Sequence, residues 1–234
     1  MPRGQLILIE GLDRSGKSTQ ASLLASKFPQ NKLIKFPNRS TPIGQLINEY
    51  LTNKQFELND QAAHLLFSAN RWELAAEIES LLNSGVFVVL DRYIYSGVAY
   101  TLAKNHADDD GTITRTATGD DKNESKSNSR SLADADWLLG PDKGLPKPDL
   151  TLFLTLDMDE ISQRKGWGDE RYEMVQFQAK VKNCFLRVLD TAGDPTIEVV
   201  GVGHMSIEQV AQLLWDKVEI HNANVLTDAS IEYI

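Results

Sequence analysis

The segment that most limits how this chain can fold lies within its first twenty residues. An apolar, β-rich run, Leu6–Ile9, leads into Gly11–Ser18, which matches the pattern G-x-x-x-x-G-K-[ST] at every fixed position. Apolar residues at helical spacing follow, from Ala21 to Phe28, and Pro29 ends them. A strand that delivers such a loop, and a helix that begins at its end, predict a phosphate-binding P-loop.

The chemistry of the loop follows from its residue types. Gly11 and Gly16 permit backbone conformations and close approaches that a Cβ atom would prevent. The loop amides, reinforced by the positive end of the helix dipole, then bind an anion. Lys17 can reach the β- and γ-phosphates of a nucleoside triphosphate, and the Ser18 hydroxyl can ligate Mg²⁺. The residues expected to form this nucleotide site are Gly11, Asp13, Arg14, Ser15, Gly16, Lys17, Ser18 and Thr19.

Four further segments of strand length predict the rest of a sheet. They are Lys32–Phe36, Val86–Leu90, Leu150–Leu156 and Thr196–Val200, and helical patterns separate them. Val86–Leu90 is apolar on both faces, which is typical of a central parallel strand. The alternation predicts a single α/β domain over residues 1–234. We expect a three-layer sandwich in which helices flank a five-stranded parallel sheet.

An acidic residue and an arginine come directly after the third predicted strand. Asp91 lies at the carboxyl end of Val86–Leu90, the edge where doubly wound sheets bind their ligands. We therefore expect Asp91 beside the P-loop, where it would orient a metal ion together with Ser18. Arg92 follows as a cation that can neutralise phosphate charge.

The charge balance limits the partners. The formal net charge of −9 makes binding to nucleic acid or a membrane surface by general attraction unexpected. An acidic chain that binds nucleotides must concentrate positive charge locally. The candidate cations are Arg14, Lys17, Arg39, Arg71, Arg92 and Arg171.

Three helical patterns can be bounded approximately. One runs from Asn59 to Asn83 with a single break expected, and Arg171–Leu189 is amphipathic. The third begins at Ser206, which has capping-box spacing with Gln209. Cys184 lies at helical spacing with apolar residues, which predicts a buried core thiol.

Two polar segments interrupt the alternation of strands and helices. Asn105–Ser131 contains no aromatic residue and too few apolar ones to offset its ordering entropy, so we expect a flexible surface insertion. A partner-docking loop, or a Ca²⁺ site at Asp108–Asp110, is the functional alternative. Asp159–Arg171 contains two glycines among basic residues, which indicates a mobile lid near the phosphates.

The single cysteine and the hydropathy pattern bear on the compartment. One cysteine excludes an intrachain disulfide, and neither a signal peptide nor an apolar run of membrane-spanning length is present. We therefore expect a reducing compartment, the cytoplasm, with the nucleus as the alternative.

The residue pattern indicates phosphoryl transfer by a small enzyme. The N/T-K-x-D motif with which GTPases normally read guanine is absent from the sequence, and a motor or transporter ATPase would usually need more chain. An acid–arginine pair after a strand, scattered arginines and a glycine-containing lid segment are typical of a small-molecule kinase, because phosphoryl transfer depends mainly on positioning and charge neutralisation.

Six ordered motifs resemble the thymidylate (dTMP) kinases, P-loop nucleoside monophosphate kinases, in their eukaryote-like form. The similarity covers almost the whole chain outside the insertion. The motifs are Gly11–Thr19 (GLDRSGKST), Phe36–Gly44 (FPNRSTPIG), Leu66–Glu73 (LFSANRWE), Asp91–Tyr100 (DRYIYSGVAY), Gly144–Asp149 (GLPKPD) and Glu170–Glu173 (ERYE).

The resemblance implies ATP-dependent phosphorylation of dTMP to dTDP, a step in dTTP synthesis, by a Mg²⁺-dependent homodimer. It implies that Asp13 binds the deoxyribose 3′-hydroxyl and that Arg39 and Arg92 bind the dTMP phosphate. It also implies that Arg14 reaches the transferring phosphoryl group. The expected catalytic residues are Arg14, Lys17, Asp91 and Arg92, and the expected metal ligands are Ser18 and Asp91.

The resemblance further implies a thymine site. Phe67 would stack on the base and Arg71, four residues on, would bond its carbonyl edge. Tyr100 would crowd the sugar where a 2′-hydroxyl would lie, Gly97 would line the substrate site and Tyr172 would help close it. Taken alone, Phe67 and Tyr100 are typical core aromatics and Arg71 a solvated helix charge, but the combined motif favours the functional interpretation.

Two alternatives remain at this point. A deoxynucleoside kinase of the same fold phosphorylates a neutral nucleoside and would have less use for Arg39 and Arg92. A regulatory module that binds nucleotides without catalysis would be expected to lack Lys17, Ser18 or Asp91, and all three are present.

Overall fold

The computed structural model describes residues 2–105, 135–163, 171–172 and 174–234. The strands are β1 (Leu6–Gly11), β2 (Asn31–Lys35), β3 (Phe87–Asp91), β4 (Leu150–Thr155) and β5 (Ile197–Gly201). They form one sheet in the order β2-β3-β1-β4-β5, and every neighbouring pair is parallel. The predicted α/β fold, a five-stranded parallel sheet flanked by helices, is confirmed.

In the described residues, helices connect consecutive strands, and one further helix follows β5. They are α1 (Lys17–Ala25), α2 (Pro42–Thr52), α3 (Asp60–Trp72), α4 (Ala75–Asn83), α5 (Ile94–Asn105), α6 (Ala135–Leu139), α7 (Met158–Gln163), α8 (Val175–Val188) and α9 (Ile207–Ile220). Helix α1 packs against α9, and α5 against α8.

The central strands determine where the P-loop lies. Strands β1 and β3 are buried along their whole length, since nearly all their residues are apolar. The register pairs Ile9 with Asp91 and Gly11 with Leu154. The carboxyl ends of β1, β3 and β4 therefore meet at one edge, and the loop after β1 lies beside Asp91.

Capping residues account for the ends of two helices. Asn59 caps α3, because its side-chain oxygen accepts a hydrogen bond from the Ala62 amide at 2.7 Å. Ser206 and Gln209 form the predicted capping box at the start of α9. The predicted single break in the pattern from 59 to 83 is also present, between α3 and α4.

The predicted helix Arg171–Leu189 is wrong at its amino end, because α8 begins at Val175. Arg171 is held against the end of α2 instead. Its amide donates to Leu51 O at 3.2 Å and its Nε donates to Tyr50 O at 3.0 Å. These tertiary bonds keep Arg171 outside the helix, and a pattern of apolar spacing carries no information about them.

Cys184 is buried on α8, as predicted, and burial raises the pKa of its thiol. Along the part of the chain that the structure describes, no helix has both the length and the apolar character needed to cross a membrane.

Two segments singled out in the sequence lie largely outside the described residues. The predicted insertion Asn105–Ser131, with its acidic triplet Asp108–Asp110, falls almost entirely within 106–134. Of the predicted lid, residues 164–170 are outside, whereas the part up to Gln163 belongs to α7.

The start of β1 is tied to β4 and to the last residues of the chain. The Arg3 guanidinium donates to both carboxylate oxygens of Asp149, at 2.8 and 2.7 Å, and also to Ala229 O at 2.8 Å. Asp149 in turn accepts the Leu6 amide at 2.8 Å. One largely buried arginine thus connects three parts of the chain that are distant in sequence.

We expect Arg3→Ala to lower the free energy of unfolding by about 2–3 kcal/mol, because Asp149 would lose its charge-assisted hydrogen bonds. For a chain of this size that corresponds to a fall in Tm of about 5–10 °C. Lys32→Ala, which removes an exposed ion pair with Glu77 (3.2 Å), is the control and should shift Tm little. Equal Tm values for the two variants would contradict this account.

Candidate active site

A cavity of about 430 Å³ opens at the carboxyl edge of the sheet, within the size range of small-ligand sites. The P-loop, the segment after β2, α3, α5 and Tyr172 form its walls. The predicted site residues that line it are Asp13, Arg14, Gly16, Lys17, Ser18, Thr19, Arg39, Phe67, Arg71, Arg92, Gly97, Tyr100 and Tyr172. The other three, Gly11, Ser15 and Asp91, are not part of the lining. Arg171 is not part of it either.

The P-loop conformation depends on its two fixed glycines. A Cβ atom at Gly11 would lie 3.0 Å from Leu154 O and 2.7 Å from Ser15 Oγ, too close for either contact. Gly16 has a φ of +92° and precedes the first residue of α1, Lys17. The loop therefore presents its amides and the start of α1 to the cavity, the arrangement that binds phosphate.

Lys17 is buried at the floor of the cavity. Its Nζ donates to Leu12 O at 2.9 Å and lies 3.9 Å from Asp13 Oδ1. Burial, with the nearby Arg92 cation, lowers the pKa of Lys17 to about 8. A negatively charged ligand in the cavity would favour the charged form of this amine and raise its pKa again.

Ser18 and Asp91 meet as the sequence predicts. Ser18 Oγ donates to Asp91 Oδ2 at 2.5 Å, while the buried Asp91 Oδ1 has no hydrogen-bond partner among the described residues. A serine hydroxyl beside a carboxylate oxygen that lacks a donor suits a hard cation such as Mg²⁺. In the described ranges no cluster of three or more His, Cys, Asp or Glu side chains could hold a metal. Mg²⁺ keeps several waters and phosphate oxygens as ligands, so one or two protein ligands suffice for it.

Asp13 lies at the centre of a hydrogen-bonded group. Arg92 Nη2 donates to its Oδ1, while the Tyr100 hydroxyl (3.0 Å) and Gln178 Nε2 (2.9 Å) donate to Oδ2. Burial alone would raise the pKa of Asp13, but Arg92 and Lys17 outweigh it and hold the pKa below its usual range. Asp13 is thus an ionised acceptor in a fixed position. Gln178, which is 165 residues away along the chain, was not predicted, because no local pattern marks it.

Glu10, a buried acid beside these residues, was not predicted from the sequence. It accepts hydrogen bonds from the Tyr93 amide at 2.9 Å and the Ser96 amide at 3.0 Å. Burial raises the pKa of Glu10, although Arg92 and these donors oppose the rise. An acid at the end of an otherwise apolar strand is itself a signal, because a buried charge requires partners.

Arg71 lies on the cavity wall in a buried ion pair. Its Nε and Nη2 donate to the two carboxylate oxygens of Asp142 at 3.0 and 2.6 Å, and Nη1 lies outside this pair. Ser68 Oγ also donates to Asp142, at 2.6 Å. A Cβ atom at Gly97 would approach the Arg71 guanidinium to 3.0 Å, so glycine leaves room for it. Asp142 was not predicted, and only the fold brings it to α3.

Two further predicted residues of the cavity lining, Tyr172 and Arg39, have hydrogen-bond partners on α2. The hydroxyls of Tyr172 and Tyr50 share a hydrogen bond of 2.7 Å. The Lys104 ammonium lies 4.9 Å from the centre of the Tyr172 ring. Arg39 Nη1 donates to Asn48 Oδ1 at 3.0 Å. Both predicted residues are therefore fixed by partners on α2.

Comparison with known proteins identifies relatives of this chain. The family model described as Thymidylate kinase matches residues 9–120. A thymidylate kinase from Schizosaccharomyces pombe is 39% identical over 228 residues, covering 95% of this chain and 94% of that protein. One from Homo sapiens is 41% identical over 191 residues, covering 80% and 77%.

A solved structure extends the similarity to three dimensions. Thymidylate kinase from Candida albicans is 64% identical, with a TM-score of 0.90, and the match covers 100% of this chain and 99% of that one. The S. pombe and C. albicans matches both extend along nearly the whole chain. On this evidence the chain belongs to the thymidylate kinase family.

Proposed function

We propose that the enzyme transfers the γ-phosphoryl group of ATP to the phosphate of dTMP, with the cavity residues in the roles set out below. The observation that carries these roles is the juxtaposition, in one cavity, of a P-loop with the Asp13–Arg92 pair and the Phe67–Arg71 face of α3. This arrangement supports a donor phosphate site and an acceptor site of matching chemistry within the same cavity.

On the donor side, the P-loop amides and Lys17 bind the β- and γ-phosphates. Arg14, which lines the cavity, stabilises the charge that develops on the transferring phosphoryl group. Ser18 and Asp91 would hold Mg²⁺, which would neutralise phosphate charge. These residues act mainly by orientation and charge, since phosphoryl transfer requires little else from the protein.

On the acceptor side, Arg39 and Arg92 hold the dTMP phosphate and Asp13 accepts a hydrogen bond from the 3′-hydroxyl. A phosphate oxygen of dTMP forms a bond to the γ-phosphorus as the bond to the bridging oxygen breaks, giving dTDP and ADP. A phosphate monoester is already largely ionised near pH 7. The acceptor oxygen therefore has no proton for a general base to remove.

The thymine ring stacks on Phe67, and the Arg71 guanidinium bonds its carbonyl edge. Tyr100, fixed by its 3.0 Å bond to Asp13, lies where a ribose 2′-hydroxyl would be, and Tyr172 closes the outer side. A base that presents an amino group to Arg71 would leave a buried charged donor unpaired, which costs about 1–3 kcal/mol or more.

The two alternatives are not favoured. A deoxynucleoside kinase would bring a neutral hydroxyl to Arg39 and Arg92, and these two cations of the cavity lining would then have no acceptor phosphate to bind. A non-catalytic module would have no need of Lys17, Ser18 and Asp91 together. The relatives are thymidylate kinases by name.

A coupled assay for ADP with a panel of acceptors tests the proposal. We expect dTMP to give the highest kcat/KM, dUMP to be weaker by one methyl contact, and dCMP, AMP and UMP to be poor. Thymidine should be a poor acceptor because it lacks the phosphate. A preference for AMP, CMP or an unphosphorylated nucleoside would overturn the proposed roles. The solved Candida albicans enzyme is described as having broad substrate specificity. The panel of acceptors should therefore include nucleotides with several different bases.

The family resemblance also supports a homodimer, and the composition supports a cytoplasmic or nuclear location. Both are part of the proposal, as is a single kinase domain. Light scattering of the purified protein measures its oligomeric state directly.

A further inference from the structure

Glu10 is the one charged residue of β1, and it is fully buried. Its Oε1 accepts the amides of Tyr93 and Ser96, and its Oε2 accepts the Ser96 hydroxyl at 2.6 Å. All three donors belong to the short stretch that follows Arg92. The carboxylate therefore fixes the course of the chain between the end of β3 and the first turn of α5.

Ser96 connects this carboxylate to Arg92, because Arg92 Nη1 donates to Ser96 Oγ at 3.0 Å. A serine hydroxyl carries one proton and two lone pairs. When its proton is directed to Glu10, a lone pair faces the guanidinium. Without an acceptor at Glu10 the hydroxyl could rotate, and it would no longer hold Arg92 in one place.

The rest of Arg92 is held in an uncommon conformation. Its φ is +69°, in the left-handed region that residues other than glycine rarely adopt. Its amide donates to Ile9 O at 3.0 Å, and Nη2 donates to Asp13. Contacts from neighbouring residues of β1, Ile9 and Glu10, thus maintain both the backbone and the side chain of Arg92.

We propose that Glu10 is a positioning residue, which acts through the Ser96 hydroxyl to aim the Arg92 guanidinium at the acceptor phosphate. This inference rests on the proposed function, in which Arg92 binds the phosphate of dTMP. Glu10 itself is not part of the cavity lining. Its contribution is therefore specific to the phosphate arm of the substrate, not to the base or sugar.

Glu10→Gln tests the proposal. Glutamine keeps the shape and one acceptor oxygen, but it replaces the other oxygen with an NH₂ group that donates to Ser96 instead of accepting. We expect the Kd for dTMP, measured by calorimetry, to rise at least about tenfold. The Kd for thymidine, which has no phosphate, should change less than about twofold, and so should the KM for ATP. A purely structural role would weaken dTMP and thymidine alike.

Asp149→Asn is the matched control. Like Glu10, Asp149 is a carboxylate that accepts a backbone amide, that of Leu6 at 2.8 Å. It binds an arginine directly, Arg3, and lies at the opposite end of β1. The variant should lower Tm and leave the ratio of the thymidine and dTMP Kd values unchanged.

Ser96→Ala provides a second test that leaves the Glu10 carboxylate and its backbone donors in place. It should reproduce the selective loss of dTMP affinity, and combining it with Glu10→Gln should add little further loss. If Glu10→Gln does not fold, the selective loss in Ser96→Ala decides the question.

The inference is overturned if either variant weakens dTMP and thymidine binding equally, if either variant leaves dTMP binding unchanged, or if the losses of the two variants simply add. Failure of the proposed function has a different signature. In that case the wild-type protein itself would bind dTMP no better than thymidine, or would not phosphorylate it.

Discussion

Replacing Lys17 with methionine is expected to lower kcat for dTMP phosphorylation by at least about 10²–10³-fold, because the transferring phosphoryl group loses a positioned cation. Lys17 lies at the floor of the cavity, next to the start of α1. Its Nζ bonds only one P-loop carbonyl, Leu12 O, at 2.9 Å among the described hydrogen bonds. The amine is therefore available to phosphate oxygens.

The fold should tolerate this change. Burial lowers the pKa of Lys17 to about 8, which means that the unliganded site disfavours the charged amine. Methionine has a similar length and needs no counter-charge, so we expect Tm to stay the same or to rise slightly. Steady-state kinetics with saturating ATP and dTMP, together with a thermal melt, measure both effects.

Lys27→Met is the matched control, because Lys27 follows α1 and its ammonium lies over the Trp215 ring at 4.8 Å, away from the cavity. Its kcat should equal that of the wild type. Near-normal turnover in Lys17→Met would refute the donor-site assignment. A large fall in Tm would mean that Lys17 is needed for the fold.

The sequence was sufficient to predict the sheet and the P-loop for a physical reason. Apolar runs such as Val86–Leu90 have few structural alternatives, and G-x-x-x-x-G-K-S specifies a local backbone conformation. Parallel sheets bind ligands at the carboxyl ends of their strands, and this rule then predicted that Asp91 lies beside Ser18. In the structure, Ser18 Oγ and Asp91 Oδ2 are 2.5 Å apart. Information local in sequence determined each of these features.

Residues whose partners are distant in sequence could not be predicted in the same way. Asp142 meets Arg71 from 71 residues away, and Gln178 meets Asp13 from 165. Neither belongs to a local pattern, so only the packed fold reveals them. The predicted start of α8 was wrong for a similar reason, because Arg171 is hydrogen-bonded to the end of α2 instead.

On the proposed acceptor side of the cavity, charged side chains hold one another in position. Arg92 is fixed by Asp13 and Ser96, and Arg71 is fixed by Asp142. Buried donors and acceptors with fixed partners cannot reorganise to fit a wrong ligand, and a mismatched group then stays unpaired. We infer that selectivity in this acidic protein comes from the rigidity of a few cations more than from their number.

The Arg71–Asp142 pair gives the sharpest test of this idea. Its side chains are 3% and 0% exposed. Asp142→Asn removes the counter-charge and should lower the free energy of unfolding by about 3–5 kcal/mol, the usual cost of leaving one buried ion without its partner. Glu77→Gln, at the exposed pair with Lys32, is the control and should cost less than about 1 kcal/mol.

The same variant should change recognition of the base. Asparagine keeps one acceptor oxygen but replaces the other with an NH₂ donor, so the guanidinium is no longer held at both Nε and Nη2. We therefore expect kcat/KM for dTMP to fall at least about tenfold and the preference for dTMP over dCMP to narrow. Arg71→Met combined with Asp142→Leu separates the two effects. Apolar side chains of similar volume often replace a buried ion pair without loss of stability, so Tm should largely recover. The preference for dTMP over dCMP should stay low, because the donor itself is gone. If the double variant regained the preference for dTMP over dCMP together with its stability, the ion pair would only stabilise the fold. Arg71 would then not take part in recognising the base.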